Sequence, residues 1–113
     1  DDEWVRFERE RVRHLELHAL DDIVSTSLLA GDTKTAVDAA MRAVRLDPMR
    51  EASHIGLLRA LSESGNRASA LAHYRRFARN MRDELGLDPS PGVQEVVAGM
   101  LAGSRPAMRV RQA

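Results

Sequence analysis

No cysteine occurs in the chain, which excludes disulfide scaffolds and thiolate metal sites. Aromatic residues are almost as scarce: Trp4, Phe7, Tyr74 and Phe77 are the whole set. Ile and Thr are few as well, and this shortage of β-branched and aromatic residues argues against strands. Charge of one sign is missing too, since 17 basic side chains balance 17 acidic ones. A zero balance argues against a nucleic-acid footprint spread over the whole domain. No apolar run approaches the roughly 18 residues of a membrane helix, and no secretory leader opens the chain. Catalytic signatures are absent from the sequence: there is no Gly-x-Ser-x-Gly elbow, no Gly-rich phosphate loop and no His-Glu-x-x-His. No enzyme activity, cofactor or metal is expected.

What is present points to helices. Of the 17 basic residues 16 are Arg and one is Lys34, and Ala and Leu dominate the apolar set. Ala, Leu, Arg and Glu are strong helix formers, so an all-α protein is expected. At 113 residues the chain is one domain, large enough to hide about two-thirds of its unfolded surface. It opens on Asp1 rather than Met, as expected of a piece of a longer protein.

Five helices follow from periodicity and punctuation. Residues 3–14 are so densely charged that they read as a solvated helix or a frayed start. From Val12 an apolar stripe runs through Leu15, Ala19, Leu20, Ile23, Val24 and Leu28 at spacings of three and four. Gly31 stops this helix and Asp32 caps the next, which spans Thr33 to Leu46 with Ala36, Val37, Ala40, Ala43 and Val44 inward. An Asp38–Arg42 pair is expected on its outer face. Asp47-Pro48 restarts the chain, with Asp47 as cap of a third helix from Pro48 to Ser64. Its inward face is Ala52, Ile55, Leu58 and Leu61. A fourth helix carries Leu71, Tyr74, Ala78, Met81 and Leu85 and closes at Gly86. A fifth, capped by Ser90, runs from Pro91 to Ala102 and is weakened by Gly92 and Gly99. Residues 1–102 form the expected module, and the tail 103–113, with Arg105, Arg109 and Arg111, is expected to be disordered.

A period of 34 residues links Gly31 to Gly65, Asp32 to Asn66 and Ala36 to Ala70. The unit resembles a tetratricopeptide repeat, with Gly at the helix turn, Ala five residues on and Pro48 twelve beyond that. In the second unit Arg82 stands where the Pro belongs, and the Asp-Pro step is delayed to Asp88-Pro89. The resemblance implies a right-handed array of about five antiparallel helices: two repeat units plus a C-terminal helix that caps the open end.

A more specific order of motifs covers nearly the whole chain. Trp4, the Glu-Arg run at 8–11, Ala19-Leu20, Leu28-Leu29, Gly31-Asp32 and Ala36 come first. Leu46-Asp47-Pro48, Arg50-Glu51, His54, Ala60-Leu61, Gly65, Ala70-Leu71 and Tyr74 follow. Glu84-Leu85-Gly86 and Pro89-Ser90-Pro91 end the pattern, and this ending is its most discriminating part. The chain resembles the bacterial transcriptional activator domain, the tetratricopeptide-like module of actinobacterial antibiotic-pathway regulators. Gly92, Val93 and Gly99 depart from the family's last helix.

The resemblance implies a cytoplasmic module that works by contact with protein: an upstream winged-helix domain, the transcription machinery or a second copy. DNA would be met through the winged helix. Matching the chain to the repeat places His18, Asp21, Ser25 and Leu28 on the groove from the first unit and Ile55, Arg59 and Ser62 from the second. The groove is either open to a peptide or helix or filled by the terminal helices. A generic tetratricopeptide scaffold that binds a peptide is the alternative of the same kind.

Other residues draw attention for their chemistry. Trp4 and Phe7, aromatics on a charged helix start, suit a dimer or interdomain contact. Arg75, Arg76, Arg79 and Arg82 form a basic stretch that could hold phosphates directly, although an Arg79–Asp83 pair would make it a solvated face. His14 and His18 are four apart, but two ligands do not make a metal site. His54 reads as a packing residue.

Overall fold

The computed structural model describes residues 1–103. Five helices occur among them: α1 (Asp2–Leu29), α2 (Thr33–Leu46), α3 (Glu51–Glu63), α4 (Arg67–Leu85) and α5 (Pro91–Ala102). Consecutive helices pack on one another, α1 also reaches α3, and α5 lies against both α3 and α4. The fold is an all-α, tetratricopeptide-like array. Arg105, Arg109 and Arg111, and the tail expected to be disordered, lie beyond the described residues apart from Gly103.

The repeat is visible in the turns. Gly31 and Gly65 adopt φ of +77° and +86°, which an L side chain resists. Behind each, the same pair of bonds closes the helix: Asp32 N–H to Ser27 O (2.8 Å) with Gly31 N–H to Leu28 O (3.1 Å), and Asn66 N–H to Leu61 O (2.9 Å) with Gly65 N–H to Ser62 O (3.1 Å). These are Schellman closures, and they satisfy carbonyls the helix end would leave bare. Asp32 then accepts from Thr35 N–H at 3.1 Å, and Thr35, through its hydroxyl and then this N–H, holds the Asp32 carboxyl below the usual range. Asn66 makes no such cap and donates instead to Ser64 Oγ. Ala36 and Ala70, five residues after each glycine, are both fully buried.

Two apolar clusters fill the array. The first joins Leu17, Leu20 and Val24 of α1 to Ala39, Ala40 and Ala43 of α2 and Leu57 of α3. The second joins Leu58, Ala70, Phe77 and Met81 to Val93, Val97 and Met100 of α5. Burying a side chain such as Leu58 or Val93 completely contributes about 1.5–3 kcal/mol. The C-terminal helix therefore closes the second unit, and its glycines do not spoil that packing: Gly92 and Gly99 are exposed beside it.

The charged start is the solvated helix of the two readings, largely exposed and helical from Asp2, where the Asp1 carboxylate accepts from Trp4 N–H. Several other local expectations fail. Val12, Leu15, Ala19 and Ile23 are exposed, because the inward face of α1 is Leu17, Leu20 and Val24. α3 starts at Glu51 rather than Pro48: Asp47 to Arg50 form a turn closed by Arg50 N–H to Asp47 O, and Asp47 ends α2, its N–H donating to Ala43 O, instead of capping α3. Ala52 and Leu85 are exposed. The Asp38–Arg42 pair gives way to Lys34–Asp38 (3.2 Å) and Arg42–Glu16 (2.5 Å), since α1 offers Arg42 a carboxylate across the helix pair. Ser90 stands before α5 as expected but caps through no side-chain bond; its N–H donates to Glu51 at 2.9 Å and ties α5 to the start of α3.

Candidate functional site

The groove side of the array is built outward from one clamp. Arg50 donates to both oxygens of Asp21 (3.0 and 2.5 Å) and to Ser53 Oγ (2.8 Å). This two-pronged pair is partly buried, so it is screened less than a surface ion pair, and Asp21 holds the Arg50 proton more firmly than usual. It fixes the start of α3 against the middle of α1, and it uses up the Asp21 carboxylate.

Beside the clamp lies a cleft of about 340 Å³ between α1, α2 and α3, in which Asp21, Ser25, Leu28, Ile55 and Arg59 are wall residues. A second, more open cleft of about 630 Å³ lies between α3 and α5. Ile55, Arg59, Ser62 and Glu63 form its α3 wall, and Gly92, Glu95, Val96, Gly99 and Met100 its α5 wall. Ile55 and Arg59 belong to both, so the two clefts adjoin across one turn of α3. Gly92 and Gly99 are two helical turns apart, and a Cβ at Gly99 would meet nothing within 4 Å. Their missing side chains leave the α5 wall low.

Electrostatically the pair of clefts is mixed. Arg59 is exposed and makes no ion pair among the described residues, and Glu63 and Glu95 are exposed nearby. Ile55, Val96, Leu28 and Met100 supply apolar surface. Such a surface can anchor an aliphatic side chain, pair with a carboxylate or carbonyl at Arg59 and take donors at the two glutamates.

Six of the seven residues expected on the groove thus meet there: Asp21, Ser25, Leu28, Ile55, Arg59 and Ser62. His18 is exposed and lines neither cleft. Filling by a terminal helix was one of the two readings of the groove, but the residues of the α5 wall were not among those expected. The signal that could have found it is the Gly92–Gly99 spacing of two turns, which reads as a loss of helix propensity until the helix is docked.

The remaining candidates are dispersed. Arg75, Arg76 and Arg79 are exposed on α4 and make no ion pair among the described residues. The expected Arg79–Asp83 pair does not form, and Arg82 approaches Asp88 at 3.9 Å instead. Trp4 and Phe7 are exposed at 62% and 66%. No group of three His, Cys, Asp or Glu able to hold a metal occurs among the described residues, His14 and His18 included. No described helix is long and apolar enough to cross a membrane.

His54 is buried, as a packing residue should be, but with a partner that sequence reasoning missed. Its ring stacks on Phe77 (centroids 3.9 Å apart) and on His73 (4.9 Å). Nε2 lies 2.6 Å from Pro48 O and Nδ1 lies 2.8 Å from His73 Nε2. A carbonyl only accepts, so His54 carries its proton on Nε2, and His73 Nε2–H donates to His54 Nδ1. Burial pushes the His54 pKa down despite the Pro48 bond and the nearby Glu51 and Asp47. Burial, then His54 and Arg76, push His73 down to about 4.

Comparison with known proteins bears on the whole of this arrangement. A family model described as bacterial transcriptional activator domain matches residues 1–101. The chain is similar to the regulatory protein AfsR of Streptomyces coelicolor, with 34% identity over 93 residues. That match covers 82% of this chain and 9% of the AfsR length.

Proposed function

We propose, for a chain that belongs to the bacterial transcriptional activator domain family, that it is the protein-contact module of a transcription regulator whose DNA-reading winged helix lies upstream. The cytoplasm, where such regulators meet their genes, is its compartment. The adjoining clefts around Ile55 and Arg59 receive a segment of a protein partner, either an upstream domain or the transcription machinery. The observation that carries this reading is the sharing of Ile55 and Arg59 between two open clefts of mixed polarity.

Two substitutions test it without touching the core. Arg59→Glu reverses the exposed cation, and Gly99→Leu fills the α5 wall where nothing stands within 4 Å. Each is expected to lower transcription from a target promoter by roughly tenfold, a partner-binding loss of about 1.4 kcal/mol, while promoter binding by the parent regulator is unchanged. Full activation by both variants would remove the clefts from the function.

The exposed, unpaired Arg75, Arg76 and Arg79 favour a second reading, direct contact with DNA phosphates through α4. Retention of duplex DNA by this chain at low salt, lost on changing all three to Ala, would move the working surface there.

A further inference from the structure

α1 outruns its neighbour. It is 28 residues long, but its buried positions begin only at Leu17. α2 ends at Leu46, beside Arg13 and Glu16 of α1. The first three turns of α1 therefore project past the end of α2, and no other described helix covers them. They are not polar all round: Trp4, Val5 and Val12 are 62%, 40% and 53% exposed. These three line a shallow hollow of about 440 Å³ with Glu8, Arg9 and Arg13, closed at one end by Glu16 and Leu46. A lone helix of this length is marginal in water, and an apolar strip on it asks for cover.

We infer that this hollow is a homodimer contact in which the α1 helices of two copies of the chain pair antiparallel, on a two-fold axis passing between Glu8 and Arg9. An isologous contact must fit its own reversal: wherever one position meets another, the converse also holds. Turned end for end about that point, position 4 meets 13, position 5 meets 12 and position 8 meets 9. At these three pairings the chemistry matches. Val5 faces Val12 of the second copy, Glu8 faces its Arg9, and the Trp4 ring faces its Arg13 guanidinium, each contact made twice. The parallel alternative sets Glu8 on Glu8, Arg9 on Arg9 and Arg13 on Arg13, so like charges exclude it. Arg13 is prepared for its role. Glu10 holds its Nη2 from the helix itself (2.7 and 2.6 Å), while its buried Nε–H has no acceptor among the described residues. The matched stretch, residues 4–13, spans roughly 15 Å, a contact of the small, exchanging kind. It lies apart from the clefts, so it stands whether or not they bind a partner.

Sedimentation of the 113-residue chain over a concentration series, up to about 1 mM, reads the association, and Trp4, the single tryptophan, reports on it. A monomer–dimer equilibrium with a blue shift of Trp4 emission as dimer forms is expected. V12E should abolish both while leaving helicity and thermal unfolding unchanged, since Val12 touches no core cluster. Charge exchange then tests the register. E8R and R9E, each alone, set like charges in apposition and should weaken association roughly tenfold or more. An equimolar mixture of E8R with R9E, and the double variant E8R/R9E, restore opposite charges and should recover it. A chain that stays monomeric with red-shifted Trp4 emission throughout overturns the proposal and leaves the hollow to a different polypeptide. A dimer that survives V12E, or that the mixture fails to rescue, overturns it equally.

Discussion

Leu20 and His54 occupy equivalent places in the 34-residue repeat, as do Ala39 and His73, and Ala43 and Phe77. In the first unit a leucine packs between small residues, and α1 and α2 come close. In the second, two imidazoles and a phenyl ring stack in the same place, with one ring nitrogen anchored on the Pro48 carbonyl. The backbone plan is common to both, down to the two bonds that close each Gly turn. The difference shows what the repeat requires: a filled space between the helices and a satisfied partner for any polar atom placed in it. Aliphatic packing meets the first demand alone. The second unit meets both, at the cost of a dependence on protonation state.

Removing Phe77 tests that difference hardest. Phe77→Ala is expected to cost about 3–5 kcal/mol in urea-induced unfolding, because the ring is 2% exposed and is the stacking partner of His54. No residue at the equivalent place in the first unit can lose as much, since Ala43 has only a methyl group to remove.

Acid comes next. Folding depresses the pKa of both histidines, His73 from 6.5 to about 4. The unfolded chain therefore binds more protons than the folded one between those values. The stability these groups contribute is complete above pH 6.5 and is lost as pH falls towards 4. Exchanging the second unit's pair for the first unit's residues, His54→Leu with His73→Ala, should reduce the loss of unfolding free energy between about pH 7.5 and about pH 4.5. An equal loss in both proteins would place the acid sensitivity elsewhere.

The smallest effect concerns what the units share. Gly31→Ala and Gly65→Ala each force an L side chain into left-handed backbone where no neighbour is close. Each should cost about 1–2 kcal/mol, and by nearly the same amount, as read from thermal unfolding. A clear inequality would mean that one turn relaxes where the other cannot.

Much of the fold was legible beforehand, because its signals are local. Gly31, Gly65 and Gly86 end helices as positive-φ residues should. The boundaries of α2 and α5 and the burial of Ala36 and Ala70 follow from capping and periodicity. The start of α3 was misplaced because Asp47-Pro48 can open either a helix or a turn, and the long-range Arg50–Asp21 clamp favours the turn. The groove positions from Asp21 to Ser62 were legible through the repeat alone. The contributions of Glu95, Val96 and Met100 were not, since nothing local says where a terminal helix docks.

α1 marks the boundary between the two kinds of information. Its composition and spacing dictate a helix and supply apolar residues on two faces, one through Leu17, Leu20 and Val24, the other through Val5, Val12 and Leu15. Both faces satisfy helical periodicity, so no rule of spacing ranks them. The choice falls to α2 and α3, whose small residues let them close on the Leu20 face, while α2 ends at Leu46, short of the helix's first turns. Local preference settles which residues are helical and where each helix stops. Which side of a helix is inside is a property of the surface that meets it.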